Sequence, residues 1–149
     1  MGTIGKAACI GGGVIGAGWV ARLLLNGIDV SLFDPAPDAA RKVDEVMAGA
    51  RRAYQAMTDT LPAEGTLTLA ASLADAVADA ELIQESVPER LDLKHKVLAE
   101  IDAHARPDAL IGSSTSGLKP TDMQAPMARP ERLVVAHPFN PVYLLPLVE

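Results

Sequence analysis

The chain has 149 residues, 49% of them hydrophobic, with a net charge of −6, 3% aromatics and one cysteine, Cys9. This length suits one α/β domain that buries roughly 70% of the surface its unfolded chain exposes. The acidic balance and scarcity of rings exclude a nucleic-acid binder, the lone cysteine excludes an internal disulfide, and no apolar run reaches the roughly 20 residues of a membrane span. No signal peptide is read at the N-terminus, so a cytoplasmic location is expected.

Ala7-Ala8-Cys9-Ile10 has the composition of a buried parallel strand, and a helix through Trp19 to Leu25 follows the glycine run Gly11 to Gly18. Gly11, Gly13 and Gly16 satisfy G-x-G-x-x-G in the strand–turn–helix setting that gives the pattern meaning. Gly11 permits the tight turn, Gly13 lets backbone approach a pyrophosphate, and Gly16 lets helix and strand pack closely. Val14 and Ile15 open the helix, whose free N–H groups and positive dipole end suit phosphate. Trp19 reads as helix packing rather than cofactor stacking.

Gly27 ends that helix, and Asp29 to Phe33 forms a second strand finishing at Asp34. Asp34 lies about 20 residues past the turn, where a dinucleotide fold places its ribose-binding carboxylate. That charge would repel a 2′-phosphate, and Pro35-Ala36-Pro37 supplies no compensating arginine. NAD is therefore expected over NADP. The competing role for Asp34 is a helix N-cap before Pro35.

Asp38 to Met57 reads as a helix with Val43, Val46, Met47 and Ala50 on one face. A loop from Asp59 to Gly65 leads to a short strand, Thr66 to Leu69, then an alanine-rich helix from Ser72 to about Ala80. Leu82 to Glu85 is the next strand. Pro88 and Glu89 fit the first turn of a further helix, which carries Lys94, His95 and His104 and stops at Pro107. Both histidines read as surface residues, and Lys94 reads as solvated or functional. Ala109 to Gly112 is a strand entering Ser113 to Gly117, and a short helix spans about Thr121 to Met127. Arg132 to Ala136 is the last strand, closing at His137-Pro138-Phe139-Asn140-Pro141.

This alternation predicts an α/β fold of Rossmann type, a doubly wound, mostly parallel sheet with helices on both faces. Ligands in such sheets bind beyond the carboxyl ends of the strands. Polar residues collect there repeatedly, in the glycine turn, at Asp34, and over Glu85–Glu89, Ser113–Ser116 and His137–Asn140.

The glycine run, Ser113-Ser114-Thr115-Ser116-Gly117-Leu118 and the segment His137 to Glu149 together resemble the 3-hydroxyacyl-CoA dehydrogenase family over nearly the whole chain. The last segment, with Leu61 to Gly65, is most similar to the family's L-carnitine dehydrogenase branch. The resemblance implies that His137 takes the proton of a substrate 3-hydroxyl, a task suited to imidazole. It implies that Glu149 orients and stabilises that imidazole, as the carboxylate of a triad does. Ser116 and Asn140 match positions that contact the substrate or the nicotinamide end of NAD, and Glu89 and Lys94 match cofactor-side contacts. No metal is implied. The family carries a second, helical domain that closes the cleft and makes a homodimer, so a single NAD-binding domain lacking that partner is expected here.

L-carnitine is the expected small-molecule substrate, with a 3-hydroxyacyl-CoA or L-gulonate as alternatives; a non-catalytic NAD(H)-binding module is the reading from another class. Between Asp34 and Leu67, four cations (Arg41, Lys42, Arg51, Arg52) face six anions (Asp34, Asp38, Asp44, Glu45, Asp59, Glu64), a poor entrance for CoA phosphates. A quaternary ammonium would instead seek aromatic faces, which Phe139 and Tyr143 could supply in part. Val142 to Val148 is strongly apolar and is expected to promote self-association when uncovered.

Overall fold

The computed structural model describes residues 4–58 and 60–149. Six parallel strands, β1 (Lys6–Ile10), β2 (Asp29–Phe33), β3 (Leu67–Leu69), β4 (Leu82–Glu85), β5 (Leu110–Ser113) and β6 (Leu133–Val135), form one sheet. Their order is β3-β2-β1-β4-β5-β6. Between them run α1 (Val14–Leu25), α2 (Ala39–Met57), α3 (Leu73–Val77), α4 (Leu91–His104) and α5 (Pro120–Met123). Asp59, where the expected loop begins, lies outside the described residues.

Strand alternation divides the core in two. Ala7 and Cys9 of β1 turn toward Val20, Leu24, Val43 and Met47 of α1 and α2. Ala8 and Ile10 turn toward Leu73, Val77, Leu98 and Ile101 of α3 and α4. Burial pushes the Cys9 thiol up to about 12, so it packs as a small hydrophobe rather than reacting as a thiolate. Trp19 is buried in the first of these cores, as helix packing requires. Among the described residues, no helix is long and apolar enough to cross a membrane.

The register sets up the site. Phe33, Ile10, Glu85, Ser113 and Val135 lie side by side across five strands. The residues that follow them, Asp34, Gly11, Ser86, Ser114 and Ala136, therefore leave the sheet along one edge. The strand order reverses between β1 and β4, which opens the crevice at that edge.

Several local expectations change. Helix α4 starts at Leu91, with Arg90 as its N-cap, so Pro88 and Glu89 are outside it. Glu89 is drawn away to the loop after β5, where it accepts hydrogen bonds from Thr115, Ser116 and Gly117. Lys94 is not solvated but 1% exposed. His95 is half-buried, and its Nε2 lies 2.6 Å from the Asp122 carbonyl, tying α5 to α4; His104 is exposed as expected. Arg132 leaves the last strand for a 3₁₀ turn, and β6 begins at Leu133.

There the Arg132 guanidinium pairs with buried Asp102. Burial pushes the Asp102 carboxyl up. Arg132 and the N–H groups of Ala128 and Arg129 outweigh that and hold it below the usual carboxylate range.

The apolar C-terminal segment is only partly open. Val142 is buried on α1, where a side chain at Gly18 would stand 2.8 Å from its Cβ, so glycine is required for that contact. Phe139, Leu145, Leu147 and Val148 remain 38–55% exposed. Concentration-dependent self-association of the 149-residue chain is the expected consequence. Sedimentation velocity that finds only monomer across the concentration range would contradict it.

Candidate active site

The glycine turn is shaped by backbone crowding. Gly11 has φ +97°, and a Cβ there would meet the Ser86 carbonyl oxygen at 2.7 Å. A Cβ on Gly16 would sit 1.8 Å from the Gly11 carbonyl oxygen, so no larger residue fits. Gly13 has nothing within 4 Å of its Cβ position, which leaves open space in front of the turn. Gly13 is also the N-cap of α1 and makes no side-chain cap, so the first N–H groups of the helix, at Val14, Ile15 and Gly16, are free for an anion.

Asp34 closes the other wall. Its Oδ2 accepts from Gly12 N–H at 2.6 Å and its Oδ1 from Ala36 N–H at 2.7 Å. The N-cap role is corrected: α2 begins five residues later, at Ala39, with Asp38 as its N-cap, and Asp34 closes a turn instead. Between the glycine turn and Asp34 lies a cleft of about 550 Å³, with apolar walls from Phe33, Leu73, Val87, Leu93 and Val97. A flat aromatic base fits such walls, the carboxylate suits ribose hydroxyls, and the uncapped helix end suits pyrophosphate. These residues fit an adenine dinucleotide.

Replacing Asp34 by alanine is expected to weaken NAD binding and erase its preference over NADP, because the charge that repels a 2′-phosphate is gone. Titration calorimetry provides the test. Equal affinity for NAD and NADP in the unaltered chain would remove the argument from Asp34.

A second cleft, of about 250 Å³, is lined by Ile15, Ser86, Val87, Glu89, Ser114, Ser116, His137 and Pro138. Here the chain folds back antiparallel on itself. His137 N–H donates to the Glu149 carbonyl at 2.8 Å, and Glu149 N–H to the His137 carbonyl at 3.0 Å. A bridge between Pro138 and Val148 continues the pairing. This return sets the twelve-residue spacing to use: His137 Nδ1 faces Glu149 Oε1 at 3.2 Å. The imidazole is half-buried, and the Phe139 ring lies 6.2 Å from it, tilted by 52°. Asn140 is exposed on the turn beyond and is not among the residues lining this cleft.

Ser116 is held at this cleft from below. Glu89 accepts from the Thr115 hydroxyl at 2.5 Å, Ser116 N–H at 3.1 Å and Gly117 N–H at 3.0 Å. Partial burial pushes the Glu89 carboxyl up, but these donors and Lys94 outweigh it and keep it below its ordinary range. The Lys94 ammonium, in turn, reaches both oxygens of buried Glu85 at 2.7 and 2.9 Å and lies 3.6 Å from Glu89. Glu85 also takes the Ser113 hydroxyl and the Val87 N–H. Lys94 thus braces two segments that line the clefts and presents almost no surface of its own.

Sequence reasoning placed Ser86 and Ser114 in the polar clusters beyond the strands without giving either a role of its own, and it missed Gln84. The available signal was Gln84, a polar amide inside the apolar run Leu82-Ile83-Gln84 of a central strand.

An all-parallel 3-2-1-4-5-6 sheet with a glycine turn and an acid after β2 defines a dinucleotide-binding domain. Residues 6–149 match the family model described as 3-hydroxyacyl-CoA dehydrogenase, NAD binding domain. The chain belongs to that family, and its cofactor is NAD.

Among curated relatives, it is 75% identical to an L-carnitine dehydrogenase of Mesorhizobium japonicum, over all of this chain and 42% of the relative. It is 63% identical to an L-carnitine dehydrogenase/betainyl-CoA thioesterase of a Rhizobium species, over all of this chain and 30% of that protein. The chain therefore spans less than half the length of these relatives. Among solved structures, 3-hydroxybutyryl-CoA dehydrogenase from Escherichia coli matches with TM-score 0.84 and 27% identity, over 98% of this chain and 32% of that one. An NAD⁺-dependent dismutase, 5-formyl-3-hydroxy-2-methylpyridine 4-carboxylic acid 5-dehydrogenase, matches with TM-score 0.88 and 34% identity, over 98% of this chain and 48% of that one.

Proposed function

We propose that this chain is the cofactor-binding part of a dehydrogenase that oxidises the 3-hydroxyl of L-carnitine to the 3-keto form. The observation that carries the reading is the His137–Glu149 pair at 3.2 Å on a cleft that also holds Ser116. Binding of NAD alone requires no such pair. The 75% identity to an L-carnitine dehydrogenase supports the choice of substrate.

In this reading, the N–H groups at Gly13, Val14, Ile15 and Gly16 hold the pyrophosphate, Gly11 gives the turn its shape, and Asp34 holds the ribose. With Nδ1 of His137 directed at Glu149, Nε2 is left to take the hydroxyl proton. Bound NAD supplies the acceptor for the hydride that leaves carbon 3. Glu149 stabilises the imidazolium that forms. Ser116 and Asn140 hydrogen-bond the substrate or the nicotinamide end. Glu89 and Lys94 act on that end by fixing the Ser116 loop. A homodimer made through a second domain belongs to the same reading.

The charges also weigh against a CoA thioester. Arg41 pairs with Asp38 and Glu45, Lys42 with Asp38, and Arg51 with Glu64, so these cations are spent locally. The test follows NADH formation, in a chain extended to the length of its relatives, with L-carnitine and 3-hydroxybutyryl-CoA at matched concentration. Carnitine is expected to give the higher kcat/KM. A preference for the CoA ester would defeat the carnitine reading and leave a 3-hydroxy dehydrogenase standing.

A further inference from the structure

Ser86 lies where the two clefts meet. It lines both, and its Cβ stands 3.4 Å from the position a Gly16 Cβ would take. Its hydroxyl is 2.8 Å from that of Ser114, which lines the His137 cleft. Behind them Gln84, 1% exposed, donates one amide hydrogen to Ser114 Oγ at 2.8 Å and the other to the Ala136 carbonyl at 3.3 Å. Both amide hydrogens are thereby spent, one on the hydroxyl pair and one on the residue just before His137.

Proton counting then decides what the pair offers. Two hydroxyls carry two protons, and one proton joins them. Gln84 supplies a donor to Ser114 and takes no proton from the pair. Whichever serine donates to the other, one O–H is left to donate elsewhere.

The acceptor must lie between the phosphate-binding turn and His137. A carboxylate is disfavoured there, because Glu89, held ionised, lines the same cleft. An amide oxygen is the stronger of the neutral acceptors that a nicotinamide and its ribose present.

We propose that the Ser86–Ser114 pair donates its unspent proton to the carboxamide oxygen of the nicotinamide, with Gln84 as the positioning residue behind it. The proposal rests on the assignment of NAD to this crevice. Its consequence is rotational: a fixed carboxamide decides which ring face turns toward the His137 cleft.

The test is binding to the full 149-residue chain, by calorimetry, of NAD⁺, thionicotinamide adenine dinucleotide and ADP-ribose. Sulfur is a weak acceptor, so the unaltered chain is expected to bind NAD⁺ about threefold to tenfold tighter than the thio analogue. In Ser86→Ala/Ser114→Ala that gap should close, with ADP-ribose affinity unchanged. A gap that persists in the double variant, or an equal loss of ADP-ribose binding in a folded protein, would overturn the proposal.

If the double variant does not fold, Ser86→Ala and Ser86→Thr decide it. The alanine should narrow the gap and the threonine restore it, and the same gap in both would reject the pair as the donor. Failure of ADP-ribose to bind the unaltered chain would remove the cofactor assignment itself, and the proposal with it.

Discussion

His137→Ala, in a chain extended to the length of its relatives, is expected to lower turnover of L-carnitine by about 10²–10⁴-fold, the usual range for a general base. Cofactor affinity should barely change. The side chain sits on the smaller cleft, away from the glycine turn and Asp34, so its loss removes proton transfer and not dinucleotide contacts. Glu149→Gln should keep the fold, because the backbone bonds that pair residues 137 and 149 do not involve the carboxylate. It would lose the charge that stabilises the imidazolium formed as the proton is taken, so turnover should fall, though less than in the alanine variant. Stopped-flow NADH formation measures both effects. Near-normal rates in the alanine variant would eliminate the proposed mechanism.

Lys94→Met carries the largest expected cost in stability. It leaves Glu85, 0% exposed, with hydrogen-bond donors from Ser113 and Val87 but without the buried ammonium. Breaking a buried pair from one side typically costs about 3–5 kcal/mol. That is a large share of the roughly 5–15 kcal/mol that holds a domain together. Urea denaturation followed by circular dichroism should record the loss. Glu85→Gln/Lys94→Met should recover most of it, since the amide still offers an acceptor and no charge is stranded. NAD affinity should weaken in the single variant, because the Lys94 ammonium fixes both Glu85 and the Val87 carbonyl in the wall of the larger cleft. A single variant as stable as the parent would mean that the pair does not stabilise the fold.

Much of the site was legible in the sequence because its signals are local. A strand, a glycine turn and a helix follow one another in the chain, so Gly11, Gly13 and Gly16 declare themselves without tertiary information. Asp34 is fixed by its distance from that turn and its place at the end of a strand. The pairing of Glu149 with His137, by contrast, was implied only by the family resemblance, and the structure closes it through an antiparallel return twelve residues long. The start of α4 was misplaced because proline and an acid are good first-turn residues wherever they occur. Nothing local reveals that Glu89 is claimed by the loop after β5.

The order of strands and helices, the dinucleotide turn and the acid at the end of β2 were determined by the sequence alone, through residue spacing and periodicity. Only the tertiary structure decided that Lys94 is a buried brace, that Asp102 and Arg132 pair, and that Ser86 and Ser114 meet at the His137 cleft with Gln84 behind them. The hydrogen-bonded partners among them lie 9 to 30 positions apart along the chain. Parallel strands bring the distant ones together because each strand must return through a helix before pairing with its neighbour. The partners of a buried polar group are then set by sheet register, which has no local signature.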